Sequence, residues 1–82
     1  MEPTQDKAFW NYRVIEHDTG AVVTFGIHSV HYEGSNITGY TADPVEALGD
    51  SQQDLQGDLE LMMQAFNRPV LSLKDLKEKL GE

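Results

Sequence analysis

The chain has 82 residues, 39% of them hydrophobic and 24% charged, with a net charge of −8 and no cysteine. That length fits one domain with one small core. The missing cysteines exclude disulfides and thiolate metal sites, and the negative balance opposes binding to nucleic acid or an anionic membrane. All six basic residues (Lys7, Arg13, Arg68, Lys74, Lys77, Lys79) lie outside the stretch 14–67, which holds nine acids. A core without Lys or Arg is a poor ligand for a phosphate backbone, so no direct nucleic-acid binding by the core is expected.

The first residues are polar and lack the basic and apolar regions of a signal peptide, and no apolar run reaches membrane-spanning length. A cytoplasmic bacterial protein is the expectation. Residues 1–8 read as a disordered tail, and residues 9–82 as a single α+β domain.

The first strand runs from Phe9 to His17, with Trp10, Tyr12 and Val14 on one face at period two. Asp18-Thr19-Gly20 is a turn, and a second strand follows within Ala21 to Glu33, completing a β-hairpin. In that strand Val23, Phe25 and Ile27 are odd, whereas Val30 and Tyr32 are even. An extra residue near His28-Ser29 would return both sets to one face as a β-bulge; otherwise the strand buries apolar residues on both faces. Glu33-Gly34-Ser35-Asn36 is the next turn, and Ile37 to Ala42 a short third strand. The three make an antiparallel meander. Asp43-Pro44 stops the ladder, and residues 43–50 read as a loop crossing the sheet edge.

The spacing then predicts a helix over 51–67. Ser51 with Asp54 suits a capping start, and Leu55, Leu59, Met62 and Phe66 recur at four, three and four. This stripe is expected to meet either Trp10, Tyr12 and Val14 or the opposite set, Phe9 and Ile15. Gly57 lies mid-helix, where it allows close packing on the sheet. Pro69-Val70-Leu71 is extended, and Ser72 with Asp75 starts a short terminal helix carrying Leu73, Leu76 and Leu80. The fold expected is therefore β-β-β-α-α: a three-stranded antiparallel meander packed by one long amphipathic helix, plus a short C-terminal helix. Apolar residues on both faces of the hairpin require a second cover. That cover is the terminal helix or a second subunit, and the latter makes a homodimer possible.

No spacing identifies a nucleophile with its base, and no glycine-rich loop is followed by a phosphate-gripping lysine. An enzyme is not expected, nor a cofactor or a resident metal. Asn36-Ile37-Thr38 matches a glycosylation acceptor by chance. The leading expectation is a non-enzymatic protein-interaction module. Its partner-binding acids would be Asp43, Glu46, Asp50, Asp54, Asp58 and Glu60, and its partner a basic protein. The alternative is a metal- or small-ligand-binding protein using His17, His28 and His31, with Glu16 or Glu33.

The segments Trp10-Asn11-Tyr12-Arg13-Val14-Ile15, Gly26-Ile27-His28-Ser29-Val30-His31-Tyr32, Tyr40-Thr41-Ala42-Asp43-Pro44-Val45 and Asn67-Arg68-Pro69-Val70-Leu71 together resemble a group of small bacterial proteins without an assigned activity. His31 stands where that pattern has an aromatic. The order of elements is also similar to that of HicB-like antitoxin domains, a likeness that implies a small basic toxin as partner.

Overall fold

In the computed structural model, residues 7–82 are described. The order is β1 (Ala8–Asp18), β2 (Val23–Glu33), β3 (Asn36–Tyr40), α1 (Gln52–Met63), a 3₁₀ turn (Gln64–Asn67), β4 (Leu71–Ser72) and α2 (Leu73–Leu80). The tail expected over 1–8 lies outside the described residues as far as Asp6. Ala8 is already strand, and the Lys7 carbonyl accepts from Gly34 N–H at 3.0 Å.

The sheet has four strands in the order β3-β2-β1-β4, with β4 parallel to β1 and the other pairs antiparallel. The α+β class stands as expected and β1–β3 run as an antiparallel meander, but β4 makes the sheet four-stranded and mixed. Pro69-Val70-Leu71 does more than pack on the sheet: Leu71 and Ser72 pair with Ile15 and Glu16. A parallel neighbour needs a crossover. Helix α1 provides it, carrying the chain from the β3 edge to the β4 edge.

β1 and β2 pair without interruption from Ala8↔Glu33 to Asp18↔Val23. The bulge expected near His28-Ser29 is therefore absent, and β2 has apolar residues on both faces. The irregularity lies one strand further on. Against β3 the register jumps from His31↔Gly39 to Tyr32↔Ile37, leaving Thr38 as the extra residue. The jump has a packing result. Ile37 and Tyr40 are three apart, so a regular strand would point them to opposite faces. With Thr38 bulged out, both pack against the same core.

That core lies on the face formed by the odd residues of β1 and the even residues of β2. Ile15, Val30, Tyr32 and Leu76 are its buried members, with Ile37, Tyr40, Leu71 and Leu73 packed around them. Leu76 comes from α2, so the terminal helix is the cover for this face. Its ends are well formed. Ser72 Oγ accepts from Asp75 N–H at 3.3 Å. Gly81, at φ +76°, turns the chain so that Gly81 and Glu82 N–H bond back to the Glu78 and Lys77 carbonyls. This is a Schellman closure, which a Cβ-bearing residue would strain.

The other face holds Tyr12 and Val14, and α1 with its 3₁₀ extension crosses it. Ser51 Oγ accepts from Asp54 N–H at 3.0 Å, as the capping pattern predicts. The stripe is corrected, however. Of Leu55, Leu59, Met62 and Phe66 only Met62 is buried; Leu59 is 48% and Phe66 63% exposed. Ala65, outside the predicted stripe, is fully buried. The side of the helix that meets the sheet is rotated from the centre of its apolar arc.

Gly57 does not serve close packing, because a Cβ there would meet nothing within 4 Å. Gly49 does: a Cβ would fall on the Leu55 backbone nitrogen and 2.7 Å from the Asp54 carbonyl carbon. Gly57→Ala should therefore raise unfolding stability by about 1 kcal/mol in a denaturant melt, whereas Gly49→Ala should lower it by displacing the start of α1. Leu76→Ala should cost roughly 2–5 kcal/mol. A smaller loss would mean that α2 is not the cover of the core face.

Candidate functional site

Two regions hold the candidate residues. The first is a histidine pair on the core face. His17 and His28 lie on that face by strand alternation, four residue pairs apart along the hairpin, with the Ile15↔Gly26 pair midway between them. Gly26 has no side chain, so the rings can meet across it. Their Nε2 atoms are 2.8 Å apart, and the rings meet edge to edge, with centroids 5.0 Å apart and planes 25° from parallel. Pro44 closes over the same glycine: a Cβ on Gly26 would stand 2.9 Å from Pro44 Cγ and 3.5 Å from His28 Nε2.

His28 is completely buried. Its Nδ1 lies 2.8 Å from the Thr41 carbonyl oxygen. A carbonyl only accepts, so Nδ1 carries the hydrogen. The neutral ring then presents a lone pair at Nε2, and His17 supplies the proton between the rings through its own Nε2–H. Burial holds His28 below its ordinary value, and the neighbouring His17 pushes the same way. The Thr41 hydrogen bond and the Asp43 carboxylate oppose these effects without overcoming them.

A cavity of about 500 Å³ opens beside the pair, lined by His17, Gly26, Tyr40, Asp43, Lys77 and Glu82 among others. Tyr40 donates its hydroxyl to Glu82 at 2.6 Å. That bond to a carboxylate, aided by burial, pushes the phenol up to about 12. His31 takes no part. It pairs with Trp10 on the opposite face and is exposed. Two of the three predicted histidines therefore come together and the third does not. Among the described residues no group of three or more His, Asp or Glu is arranged to hold a metal. The sequence missed Thr41 and Pro44, whose contacts with the pair depend on how the loop after β3 folds back along β2 through Thr41 N–H to Ser29 O and Val45 N–H to Ile27 O.

The second region is α1 with the loop before it. Asp43, Glu46, Asp50, Asp54 and Glu60 are exposed. Asp58 is not a free surface acid. Its two oxygens accept from the Tyr12 hydroxyl at 2.8 Å and Leu48 N–H at 3.0 Å. The Leu48 bond, then the Tyr12 bond, lower its pKa, while burial and the same carboxylate raise the Tyr12 phenol. Asp58 thus ties β1, α1 and the loop together. Asp43 belongs to the histidine cavity rather than to the helix.

The remaining strong polar cluster also holds the fold together. Arg13 donates to Tyr32 Oη at 2.9 Å and to the Pro69 carbonyl at 2.7 Å, and Tyr32 donates onward to Asn11 Oδ1 at 2.8 Å. Its Nε is buried without a protein partner. Arg68 in turn donates to the carbonyls of Tyr12 and Gln64.

No family model matches this chain, and no curated protein or solved structure is significantly similar to it. Among the described residues, no helix is long and apolar enough to cross a membrane.

The histidine pair sets a pH dependence with a definite sign. The folded chain holds His28 neutral below the ordinary value of 6.5. From about pH 6.5 downward the unfolded chain therefore binds more protons, and stability must fall as the pH drops toward the lower folded value. Equilibrium unfolding measured from neutral to mildly acidic pH should show this loss above the carboxylate range. A flat profile there would contradict a buried, neutral His28.

Proposed function

We propose that this chain is a small, cytoplasmic, non-enzymatic interaction module whose helix α1 receives a basic, amphipathic segment of a partner protein. The observation that carries this reading is the apolar seam left in solvent along α1 and the 3₁₀ turn that extends it. Leu55, Leu59, Met63 and Phe66 are 36%, 48%, 63% and 63% exposed, while Met62 beside them is buried. Exposed apolar residues at helical spacing mark a docking face when they are contiguous rather than scattered. Asp50, Asp54 and Glu60 flank the seam, and Glu46 lies on the loop that leads into it.

Charge favours a basic partner over a second copy. Two copies meeting along α1 would bring together helices with no Lys or Arg from 14 to 67, each on a chain of net charge −8. A basic segment would instead relieve that repulsion, and its apolar side would cover the seam. Moreover, the core face is covered by Leu76 of α2, so a homodimer is not needed there. The likeness in element order to antitoxin domains points to the same kind of partner.

The test is capture on untagged, immobilised protein, compared with Asp54→Lys/Glu60→Lys and Leu59→Ser/Phe66→Ser variants that melt like the parent. The expected result is a basic protein retained by the parent, released by salt and lost by both variants. Exposed charge attraction is screened beyond about 10 Å at 0.1 M salt, so salt should act mainly on the acidic contribution. Binding that ignores salt and both pairs of substitutions overturns the proposal. Self-association abolished by Leu59→Ser/Phe66→Ser would assign the seam to a second copy instead.

A further inference from the structure

We propose that His17 and His28 form a two-histidine site for a borderline divalent transition ion such as Zn²⁺, with the remaining coordination positions open to the adjoining cavity. This goes beyond the docking role of α1 and uses the opposite side of the sheet.

Four observations build the site. First, the two Nε2 atoms already face each other at 2.8 Å. A tetrahedral ion with metal–nitrogen bonds near 2.0–2.1 Å needs them about 3.3 Å apart, so from this in-line contact the nitrogens separate by about half an ångström and the rings swing off the line toward the tetrahedral angle. Second, the Thr41 carbonyl fixes His28 with hydrogen on Nδ1 and the lone pair on Nε2, at 2.8 Å. A backbone carbonyl on the far nitrogen is the usual device for orienting a ligating imidazole and raising its basicity. Third, Gly26 carries no side chain between the rings, and Pro44 packs into the room a Cβ would take, 2.9 Å from that position. Fourth, the cavity of about 500 Å³ gives access from solvent and room for water or an exogenous anion.

The two rings play unequal parts. His28 is buried and locked; His17 is half-buried and sits one residue from the end of β1. His17 is therefore the ring that moves. In the metal-free pair it donates its Nε2 hydrogen to His28. To bind metal it must carry that hydrogen on Nδ1 instead, so the proton passes through solvent from one nitrogen to the other. No net proton is released from the neutral pair, and no electron is transferred. Imidazole nitrogen suits Zn²⁺, Cu²⁺ and Ni²⁺ over Mg²⁺ or Ca²⁺. The protein offers two nitrogens, and the Asp43 carboxylate on the cavity wall favours positive charge at His28. Such a site binds more weakly than a closed structural zinc centre and keeps an exchangeable face.

The experiment is titration of untagged protein with Zn²⁺ at neutral pH. Imidazole nitrogen resonances and calorimetry are followed in the parent, His17→Gln and His31→Gln chains. The expected result is saturable, stoichiometric binding that shifts both the His17 and His28 Nε2 resonances, is lost in His17→Gln and is unchanged in His31→Gln. Mg²⁺ should produce no shift. The parent spectrum decides even if His17→Gln folds poorly. If Zn²⁺ leaves both Nε2 resonances in place, or binds equally well to a folded His17→Gln chain through surface carboxylates, the proposal is overturned.

Discussion

The constraint on which the rest depends is the unbroken register of the β1–β2 hairpin. Each residue of Ala8–Asp18 has a partner in Val23–Glu33, so no side chain can change face. Apolar residues fall on both faces of this ribbon, and a two-stranded ribbon with two wet apolar faces does not persist in water. Everything after β2 answers that problem. The bulge at Thr38 turns Ile37 and Tyr40 to the core face. The crossover through α1 covers Tyr12 and Val14. Leu71 extends the sheet at its far edge, and Leu76 on α2 seals the core.

What was legible in the sequence follows from how local each signal is. Both serine caps were readable because an N-cap is a contact across three residues. The hairpin was readable from alternation plus a glycine turn, and Gly20 does take φ +90°. The phase change inside β2 could not be resolved from the sequence. Period two reports that alternate residues are apolar, but a bulge and a strand covered on both sides leave the same pattern. β4 was invisible as a strand because two residues have no period. In the helix, the spacing of Leu55, Leu59, Met62 and Phe66 gave a true apolar arc but not its direction. Ala65 and Met62 took the sheet contact, since a small residue lets the helix approach closely, and the larger side chains were left outside.

The histidines show the same limit in a form relevant to function. Strict alternation puts His31 and His28 on opposite faces; the bulge expected near His28-Ser29 would have cancelled that, and its absence leaves them apart. Bringing His17 to His28 required the exact register of the hairpin, which the turn from Thr19 to Val22 sets through bonds of 3.1 and 3.2 Å. Shifting that register by one residue would send one imidazole to the opposite face, and the pair would not exist.

The residues that stand out most as motifs are largely occupied with one another. Asn11, Tyr12 and Arg13 hold Tyr32, Asp58 and the Pro69 carbonyl. Gly26 and His28 hold Pro44 and Thr41. Arg68 reaches back to Tyr12. Most of the polar groups that a reader would first suspect of chemistry are therefore satisfied inside the fold, where breaking one partner leaves the other buried and unpaired. Function must draw on what these contacts leave free. The two proposals made for this chain use such groups: the apolar seam of α1 with its acids, and the half-buried imidazole of His17 at the mouth of a cavity. The two lie on opposite faces of the sheet. The proposed partner on α1 and the proposed ion at His17 would therefore not compete for the same surface.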